Sequence, residues 1–308
     1  MFDFLFFILA LVLIIKSADW AMKYSSVIAS DLKISKHLVG FLIIAVISVL
    51  PETSVSIIST FQGESSLGLG TLFGSNVADL TLVFAIVIFF AKRDIKIRSK
   101  VIQSNYLYLL TMAVPLLLGS DGLYSRADGV VLIGIGVIFY LWLLKRDKKA
   151  YVKVRYSFNV RNLLCLLFSM ALLLVGSYLT VKHGIALARE LNLSPAIIGM
   201  LGISLGTTLP ELFFSIKAVR QKHDDLALGD ILGTVITDAV IVVGLMALIN
   251  PFYFPIRIIY VTGLFMLMAT FLLFRFMKTG HSLTYKEGIL LILFYVLFVL
   301  TELDLLIF

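Results

Sequence analysis

Residues 31–43, DLKISKHLVGFLI, recur in altered form as residues 190–202, ELNLSPAIIGMLG. At this offset of 159 positions Asp31 meets Glu190, Leu32 meets Leu191, Ser35 meets Ser194 and Gly40 meets Gly199. The same register continues without a gap. It pairs Leu50-Pro51-Glu52 with Leu209-Pro210-Glu211, Gly70 with Gly229, Gly74 with Gly233, Ser75 with Thr234 and Asp79 with Asp238. A register that holds two Pro-Glu pairs and two aspartates is the mark of one structural unit written twice.

The surrounding composition says what kind of unit it is. Of the 308 residues, 60% are hydrophobic and only 15% charged, and the mean hydropathy is +1.04. A soluble domain carries roughly a quarter charged residues. The apolar residues fall in runs of about 20, enough to cross a hydrocarbon core of about 30 Å. They do not alternate with polar ones as the strands of a barrel would. The spacing predicts an all-α membrane protein with ten spans, at about 3–28, 36–61, 67–91, 101–119, 128–145, 162–181, 194–216, 225–249, 255–274 and 285–306. The first fifteen residues read as a spanning helix rather than a cleaved signal, because no basic segment precedes them and Asp3 stands at their start. Five spans per repeat is an odd number, so the second half enters the membrane from the opposite side. The expected organisation is a first five-helix repeat over 1–145, a cytoplasmic basic linker over 146–161, and a second, inverted five-helix repeat over 162–308. Inverted repeats are characteristic of secondary transporters, which hold substrate near the midplane on interrupted helices.

The formal charge of +7 is a topology signal rather than a sign of nucleic-acid binding. Twenty Lys and Arg lie in the loops after odd-numbered spans, among them Lys92, Arg93, Lys96, Arg98, Lys145, Arg146, Lys217 and Arg220; the other loops hold four, Arg126, Lys182, Arg189 and Arg257. Basic loops stay in the cytoplasm, which puts both termini outside a cell membrane that the chain crosses many times. One cysteine, Cys165, and four histidines supply neither a disulfide framework nor a zinc-type ligand set. No cofactor is expected, the lipid bilayer is the expected surrounding, and no obligatory protein partner is evident.

The polar residues inside the spans carry the chemistry. Proline lacks an N–H and clashes with the carbonyl four residues earlier, so Pro51 and Pro210 should free the carbonyls of Ile47 and Gly206. Backbone opened at membrane depth persists only where protein, water or an ion satisfies it. A plain kink would explain one such proline, but not two at matched positions, each followed by glutamate. Spans 3 and 8 add a second pair. Thr71, Ser75 and Asp79 form a polar stripe at every fourth residue, and Asp230, Thr234 and Asp238 repeat it. Asp79 and Asp238 lie about 18 Å in from their helix starts. The adjacent Gly70/Gly74 and Gly229/Gly233 pairs allow close helix approach, a packing device first. Each buried carboxylate costs roughly 2.5–3.5 kcal/mol at a helix centre, a burden that a bound cation offsets. Carboxylates, hydroxyls and carbonyls are hard oxygen ligands, which suit Ca²⁺ and not zinc or copper. A strongly anionic site should resist occlusion unless loaded with one Ca²⁺ or several monovalent cations, and that requirement couples opposing fluxes.

These residues resemble the calcium/cation antiporter superfamily, most closely its prokaryotic sodium/calcium exchangers. The likeness spans nearly the whole chain and rests on the tandem Pro-Glu and Gly-Ser-Asn-like signatures. It implies Glu52 and Glu211 as central Ca²⁺ ligands, with hydroxyls from Ser48, Thr207 and Thr208. It also implies ligand positions at Ser75, Asp79, Thr234 and Asp238, and backbone carbonyls at Ala45 and Ser204. The first repeat departs from the usual Gly-Thr-Ser-Leu-Pro-Glu, reading Ile47-Ser48-Val49-Leu50-Pro51-Glu52. Asp79 stands where many sodium exchangers have Asn, and Asp230 where Asn usually follows Gly. The implied activity is exchange of Ca²⁺ for Na⁺ by alternating access, with H⁺ as the alternative counter-ion, the ions binding as substrates.

An enzyme is not expected. An intramembrane aspartic protease would also use two buried aspartates, but its Gly-x-Gly-Asp signature is missing and it has no use for matched Pro-Glu pairs. Asp19 and Trp20 read as packing and interfacial residues, and Lys16 and Lys23 as snorkelling. Glu302 and Asp304 are expected in solvent at the outer end of the last span, and Tyr253 and Phe254 in an interfacial aromatic belt.

Overall fold

The computed structural model describes residues 2–31, 48–97, 105–146, 160–278 and 282–304. Ten helical segments follow one another: α1 (Phe2–Asp31), α2 (Leu50–Phe61), α3 (Ser65–Ala91), α4 (Asn105–Leu118), α5 (Arg126–Arg146), α6 (Val160–Glu190), α7 (Pro195–Arg220), α8 (Asp224–Ile249), α9 (Ile258–Lys278) and α10 (Tyr285–Asp304). Among the described residues seven helices are long and apolar enough to cross a membrane; α2, α4 and α10 are shorter or more charged. The first half of span 2, with Ala45, Ile47 and the repeat segment 32–43, lies outside the described residues. Observed helices overrun several expected ends, most of all α6, which continues to Glu190 where the apolar run stops near 181.

The repeat is visible in the turns. After α2 the Gly63 N–H reaches the Thr60 carbonyl at 3.2 Å and the Glu64 N–H the Ser59 carbonyl at 2.8 Å. After the second break-bearing helix, α7, the Lys222 N–H reaches Val219 at 3.0 Å and the His223 N–H reaches Ala218 at 2.9 Å. These are the same helix-ending hydrogen bonds, 159 residues apart. Both hinge on a left-handed residue, Gly63 at φ 77° and Lys222 at φ 62°. Only the first copy uses the glycine that this conformation favours. With this correspondence the fold is an all-α membrane protein of two inverted five-helix repeats.

The core lies around α3 and α8, which are the most enclosed helices. α3 and α7 approach backbone to backbone at three glycines: a Cβ on Gly70 would strike the Ala196 carbonyl, one on Gly74 the Met200 carbonyl, and one on Gly199 the Leu67 carbonyl. α1 and α6 run along each other, with Gly176 on the α1 backbone at Ile14. Phe4, Leu5, Phe168, Val175, Phe271 and Leu293 are among the exposed apolar side chains, the surface a bilayer covers.

Short strand pairs join loops at the two ends of the bundle. β1 (Ile95–Lys96), after α3, pairs with β4 (Ser282–Leu283), before α10; β2 (Leu123–Tyr124), after α4, pairs with β3 (Phe252–Tyr253), after α8. Phe254 is not part of an exposed aromatic belt: it is buried and stacked on Tyr124 at 4.9 Å, whereas Tyr253 is exposed as expected. Arg93, between α3 and β1, forks onto Asp224 at the start of α8 with contacts of 2.7 and 2.6 Å.

A candidate cation-binding site between the repeats

The breaks ahead of Pro51 and Pro210 occur at equivalent residues. Val49 (φ −67°, ψ −11°) precedes α2, and Thr208 (φ −78°, ψ −6°) divides α7 into two helical parts. Each proline sits in the first turn of the following helix, where its missing N–H has no partner to lose. Glu52 and Glu211 follow immediately, so the same turn that starts the helix aims each carboxylate inward. Both are fully buried.

In α3 and α8 the aspartates sit on widened turns. The helix is π-type over Asp79–Val83 and again over Thr237–Val242, so Asp79 opens one such turn and Asp238 is second in the other. A π turn inserts an extra residue, redirects the side chains around it, and is often found at functional sites. Both aspartates are fully buried.

The oxygens of these carboxylates are left over by the fold. Neither oxygen of Glu52, Asp79 or Glu211 has a hydrogen-bond partner, nor does Oδ2 of Asp230 or Oδ1 of Asp238. Buried polar atoms are almost always partnered, so so many orphans in one region call for a ligand or a function. The groups are close enough to repel one another: Glu52 acts on Asp79, Glu211 and Asp238, and Glu211 also feels Asp79 and Asp230. Among the described residues no three His, Cys, Asp or Glu side chains are drawn into a ready-made metal cage. The carboxylates are near enough to influence one another without forming a cage, and a cation would have to draw them together.

Three hydroxyls, those of Ser48, Ser75 and Thr207, lie beside these carboxylates. Ser48, Ser75, Thr207, Thr208, Thr234 and Ser204 are all buried. Two of them cross between the repeats: Ser48 donates to Asp230 Oδ1 at 2.9 Å, and Ser75 to Asp238 Oδ2 at 3.4 Å. Ser75 also reaches the Leu72 carbonyl at 2.9 Å, and the Thr234 hydroxyl has no partner. Thr207 lies beside Glu52 while reaching the Ser204 carbonyl at 3.2 Å. That carbonyl, expected to be open, also accepts the Thr208 N–H at 3.0 Å. Thr208 itself bonds the Leu205 carbonyl at 3.2 Å, and Ser204 the Met200 carbonyl. Ala45 lies outside the described residues. Val49, at the position that Thr208 holds in the second repeat, is buried in the apolar core.

Asn76 was not among the expected ligands, and Glu302 is placed differently from expectation. Asn76 is fully buried beside this region, its Nδ2 on Met266 Sδ at 3.4 Å and its Oδ1 without a partner. Its place directly after Ser75 was the available signal. Glu302 is not in solvent as expected. It is 1% exposed, accepts the Thr262 hydroxyl at 2.6 Å, and pairs with Arg257 at 2.9 Å. The reason is a cation from the loop after α8 folding over the end of α10, a contact that local sequence does not encode.

A helical membrane protein whose halves each bring a proline-broken helix and a π-turn aspartate to one buried acidic centre belongs to the class of secondary transporters. The family can be stated outright: this chain belongs to the sodium/calcium exchanger protein family, whose model matches residues 2–145 and 161–303. It is similar to the sodium/calcium exchanger MaX1 of Methanosarcina acetivorans, 24% identical over 96% of this chain and 97% of the relative. Among solved structures, the sodium-calcium exchanger NCX_Mj soaked with Na⁺ and Sr²⁺ has a TM-score of 0.70 and 26% identity, covering 96% of this chain and 97% of that one. The H⁺/Ca²⁺ exchanger CAX has a TM-score of 0.80 at 15% identity, over 98% and 82% of the two chains, a likeness of fold.

Proposed function

We propose that this protein is a secondary active antiporter that moves Ca²⁺ across a cell membrane in exchange for Na⁺. The observation that carries this reading is the set of buried, unpartnered carboxylate oxygens on Glu52, Asp79, Glu211 and Asp238, two residues from each repeat. Ca²⁺ takes six to eight oxygen ligands, and among the described residues no Lys, Arg or His forms an ion pair with these carboxylates. Glu52 and Glu211 are the central ligands. Asp79, Asp238, Ser48, Ser75, Thr207, Thr208, Thr234 and the carbonyls of Ala45 and Ser204 complete the set. The repeats are 1–145 and 162–308, joined by a cytoplasmic linker over 146–161, with both termini outside.

Coupling follows from electrostatics. Closing water out of an interior with several like charges is unfavourable unless cations cancel most of them. Loaded with one Ca²⁺ or with several Na⁺, the site passes through the occluded state; unloaded, it stays on one side. Protons bound to the same carboxylates would serve equally well by charge count, so H⁺ is the alternative counter-ion.

The test is ⁴⁵Ca²⁺ uptake into proteoliposomes of the purified protein, under an imposed Na⁺ gradient and, separately, an imposed pH gradient. Uptake driven by outward Na⁺ is the expected result. Uptake driven only by the pH gradient would make H⁺ the counter-ion, and uptake in neither arm would overturn the antiporter reading.

A further inference from the structure

Asp230 breaks the symmetry of the acidic interior, because the residue at its position in the first repeat is Thr71. The two behave differently. The Thr71 hydroxyl is satisfied within its own helix by the Leu67 carbonyl at 2.9 Å. Asp230 is 1% exposed and reaches across the repeats, accepting the Ser48 hydroxyl on Oδ1, while Oδ2 has no partner. One turn along α8, on the same face, the Thr234 hydroxyl is fully buried and also without a partner. Asp230 lies near enough to act electrostatically on Asp79 and Glu211, both of its own sign. A buried carboxyl with an open oxygen is offset either by a proton or by a bound cation, and the Ser48 contact supplies a second oxygen for the cation.

We propose that Asp230 forms a binding position for a monovalent metal cation, Na⁺, beside the Ca²⁺ position centred on Glu52 and Glu211, the Ser48 hydroxyl being shared between the two. This rests on the Ca²⁺/Na⁺ reading above and deepens it. A sodium ion needs only a few oxygen contacts and one compensating charge, which a single carboxylate and a hydroxyl offer. The asymmetry then has a purpose: an extra anionic position increases the Na⁺ charge that must load before the site occludes. The rival account is an interhelical hydrogen bond that only fastens α8 to the start of α2.

Asp230→Asn separates the two, since the amide keeps the volume and an acceptor for Ser48 but removes the charge. In proteoliposomes, Ca²⁺/Ca²⁺ exchange without Na⁺ reports the Ca²⁺ position, and Na⁺-driven Ca²⁺ flux reports both. The expected result is a rise in the Na⁺ concentration for half-maximal flux that exceeds any change in Ca²⁺ half-saturation by about tenfold, about 1.4 kcal/mol, with a less steep Na⁺ dependence. Asp230→Thr, which copies the first repeat, should act in the same direction. Unchanged Na⁺ dependence, or Na⁺ and Ca²⁺ shifts of equal size, would overturn the proposal. So would a failure of both variants to elute as monodisperse protein, which would make Asp230 structural. Absence of Ca²⁺/Ca²⁺ exchange by the wild-type protein would instead overturn the exchanger reading, and this proposal with it.

Discussion

Glu52 and Glu211 illustrate a conflict between stability and function at single residues. Each is held fully buried with both oxygens unpartnered, an arrangement that burial alone disfavours. An amide of the same shape is easier to bury than a carboxylate. Glu52→Gln and Glu211→Gln should therefore unfold in Ca²⁺-free detergent at the wild-type temperature or above. They should also lose the stabilisation that saturating Ca²⁺ confers, about 2.7 kcal/mol at a hundred times Kd. ⁴⁵Ca²⁺ uptake should vanish in both. Wild-type uptake by either variant would remove that glutamate from the ligand set. The two glutamates were legible in sequence because proline announces a break and glutamate at its lip has no other reason to be there. The partner of Ser48 was not, because the Ser48–Asp230 bond joins residues 182 positions apart and no local pattern records it.

At the scale of helices, the legible features were those with a chemical marker. Apolar runs located the spans, and the prolines located the breaks at Val49 and Thr208. The π turns at Asp79 and Asp238 had no such marker, since an inserted residue leaves an apolar run looking like any other. Their matched positions show that the two copies share backbone detail as well as motifs. The glycines between α3 and α7 make the packing testable. A Cβ on Gly74 would sit 2.7 Å from the Met200 Cα and closer still to its carbonyl, both backbone atoms that cannot turn aside. Gly74→Ala should destabilise the protein by about 1–3 kcal/mol, as overpacking does, read as a lower unfolding temperature in detergent. Gly134, where a Cβ meets nothing within 4 Å, supplies the control: Gly134→Ala should leave that temperature unchanged or slightly raised. Equal effects of the two substitutions would mean that helix propensity, not the α3–α7 contact, decides.

Across the whole molecule, the polar contacts between loops obey a parity rule. β1 and β4 lie after α3 and α9, and Arg93 after α3 meets Asp224 after α7, all loops that follow odd-numbered helices. β2 and β3 lie after α4 and α8, Arg257 after α8 meets Glu302 at the end of α10, and His183 near the end of α6 meets Asp3 at the start of α1, 2.7 Å apart. A chain that crossed a bilayer some other number of times would place several of these partners on opposite faces. Contacts therefore sort the loops into two groups, and the proposal that the odd-numbered group is cytoplasmic rests on charge, because those loops hold most of the Lys and Arg. Cysteine labelling in intact cells tests the assignment. Cys165 is first replaced by alanine, since it is the one native thiol. Ser120→Cys, exposed after α4, should then react with a membrane-impermeant maleimide added outside. Lys222→Cys, after α7, should react only once the membrane is permeabilised. Reversed labelling would keep the ten-span fold but turn it over, placing both termini and the basic linker on the sides opposite to those proposed. Labelling of both from outside would break the parity rule, and with it the assignment of one of the spans between them.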